Sequence, residues 1–400
     1  MDVLQVNSVF GAGSAAGRIV ENIHQELVTH GHRSRVGYGR RHHPDPQGIR
    51  IGTDLDLALH GVKTRLLDRH GLASTKATRE FCELIQKDPP ELVHLHGIHG
   101  YYLNYEVLFD FLARIQRPIV WTLHDCWQFT GHCGYFTYAA CSKWQTTCGS
   151  CPELREYPTS WFVDSSERNF QRKRQAFLRG LKITMVSPSQ WLADLVPHSM
   201  FGDIPVEIIP NDVDHTLFRP YPSDWRTKND LVGATIILAV SSRWERRKGL
   251  DFVQDLASQL RPQEKLVVVG RLPARRSLPA SILHVPFTDS VTELASIYSS
   301  ADVFINPTLE DNYPTTNLEA LACGTPIVTF DTGGCAEAVA RSVGPSAVIG
   351  DKTVSGLRHA IDKVLSESPE GPHKVSLIEP PPVKMAGRYV ELYGRILEAS

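Results

Sequence analysis

Short apolar runs alternate with helix-spaced apolar positions along the first half of the chain. An apolar run at residues 3–6 leads into a glycine loop at 11–17, and a helical pattern occupies residues 18–28. Strand, glycine turn and helix are the opening of a βαβ unit. Apolar runs at 92–96 and 119–123 predict further strands, each ending in polar residues. The pattern predicts a parallel sheet with its polar strand ends along one edge.

A second series of the same kind follows in the C-terminal half. Apolar runs predict strands at residues 183–186, 206–209, 235–240, 265–269, 303–305 and 327–328. Five prolines and a glycine between Ser366 and Pro382 indicate a linker. The last segment predicts a helix with an apolar face of Tyr389, Leu392, Tyr393 and Ile396.

These patterns predict an α/β protein of two domains. We assign residues 1–185 to the first domain, with a cysteine-rich insertion at 126–151, and residues 186–382 to the second. A proline-rich strap before a final helix suggests that residues 383–400 cross back onto the first domain. The length of 400 residues fits this division, since single domains seldom exceed ~250 residues.

Composition and charge exclude several classes of protein. The chain is 42% apolar and 22% charged, which is typical of a globular protein. Its 42 basic and 44 acidic residues give a net charge of −2, so charge provides no case for nucleic-acid binding. The longest apolar run, Ala234 to Val240, is far shorter than a membrane span. The N-terminus has no visible signal peptide, so we expect a cytoplasmic protein.

Cationic residues follow the strand predicted at 235–240. Arg243 stands at its end, and Lys248 precedes Gly249 at the start of the next helix. An arginine that binds bidentately and a lysine beside helix-terminal amides suit a diphosphate. The alternative is a solvated run of charges.

Two carboxylates follow the strand predicted at 303–305. Asp311 lies in a loop and Glu319 in the helix predicted to begin near Thr315. The first amides of such a helix can donate to a sugar or a phosphate. Glu319, one turn inside the helix, can accept two hydrogen bonds from a ribose diol.

Taken together, these motifs resemble the donor domain of family-four glycosyltransferases. The resemblance rests on Arg243 and Lys248, on the Asp311/Glu319 pair, on Ala322-Cys-Gly-Thr-Pro-Ile-Val328 and on Gly333-Gly-Cys-Ala-Glu337. It covers nearly the whole chain. Leu123-His-Asp-Cys-Trp-Gln-Phe-Thr-Gly-His-Cys133 is similar to a bacterial subgroup that builds exopolysaccharide of the colanic-acid type.

The resemblance implies the GT-B fold, in which two Rossmann-like domains face a cleft, and a retaining reaction. The residues it assigns to catalysis are His124, Arg243, Lys248 and Asp311. The residues it assigns to the donor are Gly13, Arg243, Lys248, Asn312, Tyr313, Thr315 and Glu319. In this assignment the two cations hold the pyrophosphate, Glu319 the ribose, and His124 lies between donor sugar and acceptor.

Two positions depart from the family pattern. Asp311 replaces the usual glutamate, and because Glu310 stands beside it, either could be the working acid. Asp212 stands where the family more often has glycine, and we expect it to adopt the same left-handed turn.

For the reaction, we expect a nucleoside-diphosphate sugar as donor, with UDP or GDP as the nucleotide. The expected acceptor is a saccharide, a lipid-linked oligosaccharide in polysaccharide biosynthesis. No Asp-x-Asp pair at a strand end is available to hold a catalytic metal, so we expect metal-independent transfer. The resemblance implies front-face attack.

Five of the eight cysteines lie between Cys126 and Cys151. The spacing of Cys133, Cys141, Cys148 and Cys151 is compatible with a structural zinc site, because the last two form a Cys-x2-Cys knuckle. Free or partly disulfide-linked cysteines are the alternative.

Two basic segments raise the question of an anionic membrane. Arg33, Arg35, Arg40 and Arg41 in the stretch 33–43 are as compatible with peripheral membrane contact as with a solvated loop. The helix predicted at 167–178 is more typical of a solvated face.

Two other classes of function stay open. The spacing Gly11-x-Gly13-x3-Gly17 also occurs in NAD(P)-dependent oxidoreductases, but basic residues stand where the ribose-binding acid is needed. A non-catalytic sugar-binding or scaffold protein of the same fold is the other alternative.

Overall fold

The alternation of strands and helices produces two parallel sheets, each in its own unit of the chain. The computed structural model describes residues 1–11, 13–274, 276–288, 290–368, 375–377 and 384–399. The first unit comprises Met1–Asn211 with Val383–Ser400, and the second comprises Asp212–Pro382. Most of the predicted linker, 366–382, lies outside the described residues.

The first unit is built on a seven-stranded sheet with helices between its strands. The strands are β1 (Asp2–Val9), β2 (Arg33–Arg40), β3 (Gly48–Arg50), β4 (Leu92–Leu95), β5 (Ile119–Thr122), β6 (Ile183–Ser187) and β7 (Val206–Ile208). The helices are α1 (Ala15–Thr29), α2 (Asp54–Leu67), α3 (Thr75–Gln86), α4 (Tyr105–Ile115), α5 (Ser166–Phe177) and α6 (Gln190–Leu195). The strand order is β3-β2-β1-β4-β5-β6-β7, and all pairs are parallel.

The second unit contains eight described strands: β8 (Thr235–Arg243), β9 (Glu264–Arg271), β10 (Ile282–Val285), β11 (Val303–Asn306), β12 (Ile327–Phe330), β13 (Ser342–Val343), β14 (Ala347–Ile349) and β15 (Ser376–Leu377). Six of them form a parallel sheet of order β10-β9-β8-β11-β12-β14, and β13 and β15 form a small antiparallel pair. The helices are α7 (Trp225–Lys228), α8 (Leu250–Leu256), α9 (Val291–Ser300), α10 (Thr315–Ala322), α11 (Cys335–Val339) and α12 (Val354–Glu367).

Both sheets reverse their strand order next to their first strand. The reversal lies between β1 and β4 in the first unit and between β8 and β11 in the second. Ligands of open α/β sheets bind outside the carboxyl ends of the strands at such a point. The fold therefore directs attention to the loops after these four strands.

The glycine loop after β1 is closed by local packing. The Ser14 hydroxyl caps α1 by accepting a hydrogen bond from the Gly17 amide at 2.9 Å. A Cβ on Gly17 would lie 2.4 Å from the Gly11 carbonyl oxygen. The turn from β1 into α1 therefore requires glycine at position 17.

The last helix, α13 (Met385–Glu398), packs on α1 and completes the core of the first unit. Two buried tyrosines hold it there. The Tyr393 hydroxyl lies 2.6 Å from His94 Nδ1, and the Tyr389 hydroxyl lies 2.9 Å from Thr122 Oγ1. These bonds join α13 to strands β4 and β5.

Two sequence assignments differ from the structure. Strand β6 pairs with β5 and β7 pairs with β6, so the first unit runs to Asn211 and not to residue 185. Residues Arg33–Arg40 form β2 between β1 and β3, where Arg35 is buried and paired with Asp2 at 2.8 Å. The arginine stretch is therefore neither a solvated loop nor a row of four free cations.

The helix predicted at 167–178 is α5, and one of its cations faces inward. Lys173, in the middle of α5, is buried, and its ammonium donates to the carbonyls of Trp127 and Thr130. Within the described residues, no helix combines the length and the apolar character that a bilayer span demands.

Candidate functional site

In the second unit, the candidate site starts where β8 ends. Arg243, its last residue, is exposed, and no carboxylate of the described chain pairs with it. A short 3-10 turn follows and ends at Gly249, which has a φ of 74°. A Cβ on Gly249 would lie 2.0 Å from the Pro307 carbonyl oxygen. Glycine therefore allows the turn after β8 to contact the loop after β11.

Hydrogen bonds join these two loops. The Arg247 carbonyl accepts from the Leu309 amide at 2.7 Å and from the Thr308 hydroxyl at 3.1 Å. Lys248 Nζ then lies 2.5 Å from Asp311 Oδ2. A cation and a carboxylate thus meet where the strand order of the second sheet reverses.

The segment after Asp311 is held in a fixed shape. The Asn312 carbonyl accepts from the Gly334 amide at 2.8 Å, and the Tyr313 hydroxyl accepts from Arg341 at 3.1 Å. Thr315 is the first residue of α10, whose N-cap, Pro314, makes no side-chain cap. The first amides of α10 therefore have no side-chain cap to satisfy them.

Glu319 lies inside the second unit. It is buried in α10, where its carboxylate accepts from the Tyr298 hydroxyl at 3.1 Å. Glu310 is buried too, and its carbonyl accepts from Arg247 at 3.3 Å. The structure thus brings Asp311 to Lys248 and sets Glu319 against Tyr298.

Asp212 does not adopt the left-handed turn expected for it, since its φ is not among the positive values of the chain. Its carboxylate accepts from the Val213 amide at 2.8 Å and lies 3.4 Å from His215. These contacts stabilise an ordinary backbone at this position.

In the first unit, His124 follows β5 and contacts a buried histidine. Its Nε2 lies 3.1 Å from Nδ1 of His96, and the two rings stack with centroids 5.3 Å apart. Nε2 of His96 in turn lies 3.3 Å from Oε1 of Gln5. Gln5 and His96 are fully buried, whereas His124 is partly exposed.

This chain of hydrogen bonds fixes the tautomer of His124. The Gln5 side-chain amide donates to the Val20 carbonyl at 3.2 Å, so Oε1 of Gln5 must accept from Nε2 of His96. Burial lowers the pKa of His96 well below its ordinary value, so the ring is neutral and its Nδ1 accepts. His124 therefore donates from Nε2, which leaves its Nδ1 unprotonated.

Two titration shifts define the electrostatics around His124. Burial lowers its pKa to about 4, although Asp125 acts in the opposite direction. For Asp125, burial favours the neutral acid, but the contact with His99 at 3.0 Å, the Trp127 amide and His124 together lower the pKa. His124 is thus a neutral base beside a charged carboxylate at neutral pH.

Gly13, in the loop after β1, has a φ of 120° and lies against an arginine. A Cβ at this position would be 2.3 Å from Nη1 of Arg41. Gly13 is exposed, so the Arg41 guanidinium borders the loop that the resemblance assigns to the phosphates.

The four cysteines of the insertion line one cavity. Cys148 accepts from the Gly131 amide at 3.1 Å, and the thiols of Cys133 and Cys151 hydrogen-bond to each other. All are free thiols, so the disulfide alternative is wrong for the structure described. In the described part of the chain, no three or more metal-binding side chains are grouped to hold an ion. The zinc site at Cys133, Cys141, Cys148 and Cys151 therefore stays a prediction.

Sequence reasoning missed the partners that hold the site residues. Gln5 is a polar residue inside an otherwise apolar strand, which is a usable signal. Tyr298 and Arg341 come from distant segments, and no local pattern marks them.

Two family profiles match the chain. The profile described as Glycosyltransferase Family 4 matches residues 16–217, and the one described as Glycosyl transferases group 1 matches residues 234–367. Together they span most of both units.

Similar proteins cover most of the chain. A putative colanic acid biosynthesis glycosyl transferase, WcaC, of Escherichia coli (strain K12) is 26% identical over 373 residues, which are 89% of this chain and 87% of the relative. Sucrose-phosphate synthase from Thermosynechococcus elongatus has a TM-score of 0.70 at 17% identity, with both chains fully covered. Anabaena HepE, solved with UDP and glucose, has a TM-score of 0.62 at 14% identity, with 92% of this chain and 93% of that chain covered. The two solved structures establish likeness of fold.

Proposed function

The chain belongs to the glycosyltransferases of family 4, and from that premise we propose that it moves a sugar from a nucleoside-diphosphate sugar to a saccharide acceptor. The observation that carries the proposal is the pairing of Lys248 with Asp311 in the second unit. The pair lies at the carboxyl ends of β8 and β11, where the sheet order reverses. A diphosphate and a sugar are the ligands that a cation and a carboxylate suit there.

In this proposal the second unit binds the donor. Arg243 and Lys248 bind the pyrophosphate, and the uncapped first turn of α10 donates amides to the phosphate or the sugar. Asp311 orients Lys248 and contacts the donor sugar. Glu319 binds the nucleotide ribose with the carboxylate that Tyr298 holds in place.

Catalysis consists mainly of stabilising the leaving group. The bond between the anomeric carbon and the diphosphate breaks, and negative charge grows on the departing oxygen. Two cations beside that oxygen each stabilise the transition state by about 3 kcal/mol, the magnitude found for preorganised donors in acyl transfer.

We infer a retaining reaction without a catalytic metal. The acceptor hydroxyl attacks the anomeric carbon on the face that the leaving phosphate occupies, and its proton passes to a phosphate oxygen. The new glycosidic bond then has the anomeric configuration of the donor. His124, with a fixed tautomer and an unprotonated Nδ1, contributes a hydrogen-bond acceptor from the first unit.

The proposed acceptor is a lipid-linked oligosaccharide, and the proposed pathway is polysaccharide biosynthesis. The name of the Escherichia coli relative supports this, because it refers to colanic acid biosynthesis. HepE, which was solved with UDP and glucose, supports UDP over GDP as the first nucleotide to test.

One series of measurements tests the donor proposal. Thermal unfolding is followed with UDP-, GDP-, ADP- and dTDP-sugars, and a donor at 100 times its dissociation constant adds ~2.7 kcal/mol of stability. Transfer with the stabilising donor is then repeated in EDTA, and NMR assigns the anomeric configuration of the product. No stabilisation by any donor contradicts the proposal, and loss of transfer in EDTA that magnesium restores contradicts the metal-free reaction.

A further inference from the structure

Helix α2 is inverted relative to an ordinary surface helix. Its buried residues are His60, Gly61 and Thr64. Its outward side carries an apolar stripe, here called the leucine face, whose members are 39–68% exposed: Leu55, Leu59, Val62 and Leu66. A surface helix normally buries its apolar stripe and exposes its polar residues. Contiguous apolar patches on monomeric proteins usually mark interaction sites.

Hydrogen bonds fix this inverted orientation. Nδ1 of His60 lies 2.8 Å from the Ser74 hydroxyl, and Nε2 of His60 accepts from the Gly71 amide at 3.1 Å. The Thr64 hydroxyl is satisfied within the helix, where it donates to the His60 carbonyl at 3.0 Å. Rotating the leucine face inward would break both bonds of the His60 ring, and each buried polar group left without a partner costs about 1–3 kcal/mol.

An aromatic segment extends the leucine face at its C-terminal end. The Trp161 amide donates to the Arg65 carbonyl at 2.7 Å, which attaches this segment to the last turns of α2. Trp161 is 45% exposed and Phe162 is 76% exposed. Tryptophan is enriched at the boundary between lipid headgroups and acyl chains.

Positive charge lies beside the same end of the helix. Lys63 and Arg69 are exposed, and neither is paired with a carboxylate of the described residues. Asp68, the neighbouring acid, is buried and faces His132 at 2.5 Å. The apolar patch therefore borders on unneutralised cations.

We propose that the leucine face, with Trp161 and Phe162, docks on a lipid bilayer that carries anionic headgroups. A 14-residue helix lying parallel to the bilayer would place a stripe ~21 Å long in its interface. Lys63 and Arg69 would then approach the headgroups. In a symmetric dimer the same patch would face itself and bring these cations together, so charge favours lipid over a second copy.

Flotation with vesicles tests this surface directly. The probe is an equal mixture of phosphatidylglycerol and phosphatidylcholine, compared with phosphatidylcholine alone, at about 50 mM and about 500 mM salt. The test variant is Leu59→Gln/Val62→Gln. The matched control is Val28→Gln/Leu84→Gln, because these residues are as exposed but lie on α1 and α3.

We expect wild type and control to float with anionic vesicles at low salt, and the test variant to bind at least ~10-fold more weakly. Replacing Lys63 and Arg69 by glutamine should remove the part of the vesicle binding that depends on salt. Absence of flotation by wild type, or equal binding by the test variant, overturns the proposal. Concentration-dependent dimerisation that the test variant abolishes also overturns it and assigns the face to a second copy. The measurement uses no donor or acceptor, so its outcome is independent of the proposed transfer reaction.

Discussion

Nδ1 of His96 lies 3.1 Å from Nε2 of His124. The buried His96 thus accepts a hydrogen bond from His124, the histidine that we propose to act in sugar transfer. This relationship separates two roles. His124 has the free nitrogen, whereas His96 acts only by holding its partner.

The separation predicts different consequences for the two residues. His124→Ala should lower kcat about 100-fold, and His96→Phe, which keeps a stacked ring but cannot accept, should lower it about 10-fold. The KM for donor should stay within about 2-fold in both, because neither residue belongs to the second unit. ¹⁵N NMR should show His124 protonated at Nε2 in the wild type. Near-normal turnover of His124→Ala would mean that His124 is structural.

Buried histidines should make the protein sensitive to acid. Burial lowers the pKa of His60 to about 3 and that of His124 to about 4, below the unfolded value of 6.5. The unfolded state therefore binds more protons in this window, and their stabilising contribution, complete above pH 6.5, is lost as pH falls. The expected loss is about 1.4 kcal/mol per pH unit and group between pH 6.5 and 4. Urea unfolding at pH 7 and 5.5 measures it, and equal stability at both contradicts the prediction.

The cations after β8 should control turnover. Arg243→Ala and Lys248→Ala should each reduce kcat by at least ~100-fold and leave the fold intact, because each removes a charge facing the leaving group. Lys248→Ala should also lower the melting temperature, since it leaves the buried Asp311 carboxylate without its cation. Arg261→Ala is the control, since this exposed arginine precedes β9, at the amino ends of the strands, and pairs with Asp362 at 2.7 Å. Asp311→Asn should lower turnover by releasing Lys248. If Arg243→Ala and Lys248→Ala react at the wild-type rate, the diphosphate assignment is wrong.

Glu319 and its buried partner can be tested as a pair. Glu319→Gln should weaken UDP binding about 10-fold, since a neutral amide accepts more weakly from a ribose diol. Tyr298→Phe removes the hydrogen bond to the Glu319 carboxylate and should mainly reduce stability. Calorimetric titration with UDP measures both. A Tyr298→Phe variant that loses as much affinity as Glu319→Gln would indicate that the carboxylate acts in packing.

One cysteine of the insertion should react first with alkylating agents. The hydrogen bond from Cys133 lowers the pKa of Cys151 to about 7, whereas burial raises that of Cys148 to about 11. Labelling of Cys151 should therefore rise through pH 7 and precede that of Cys148. Peptide mass spectrometry measures the order. Protection of all four cysteines together with bound zinc would contradict this prediction and support the zinc site.

The sequence predicted much of the architecture because its signals are local. The family resemblance and the GT-B fold of two parallel-sheet domains are confirmed. Apolar runs marked most strands within a few residues, since strands buried on both faces are continuously apolar. The 33–43 stretch was misread because its alternating arginines conceal a strand whose charges are paired at its beginning.

Long-range pairing explains what the sequence could not reveal. Nothing near Lys248 indicates that its ammonium meets Asp311, 63 residues later, because the contact arises from sheet order. The inverted helix α2 escaped notice for a related reason. Its periodicity resembles that of any amphipathic helix, and only the bonds of His60 reveal which face is inside.

The position of α13 bears on how the protein is made. Residues 385–398 supply buried tyrosines to strands that were synthesised some 260 to 300 residues earlier. During translation, the apolar surface of α1 that α13 covers therefore stays exposed until all of the second unit has left the ribosome. This interval is a period of risk, in which a chaperone that covers this surface would protect the nascent chain from aggregation.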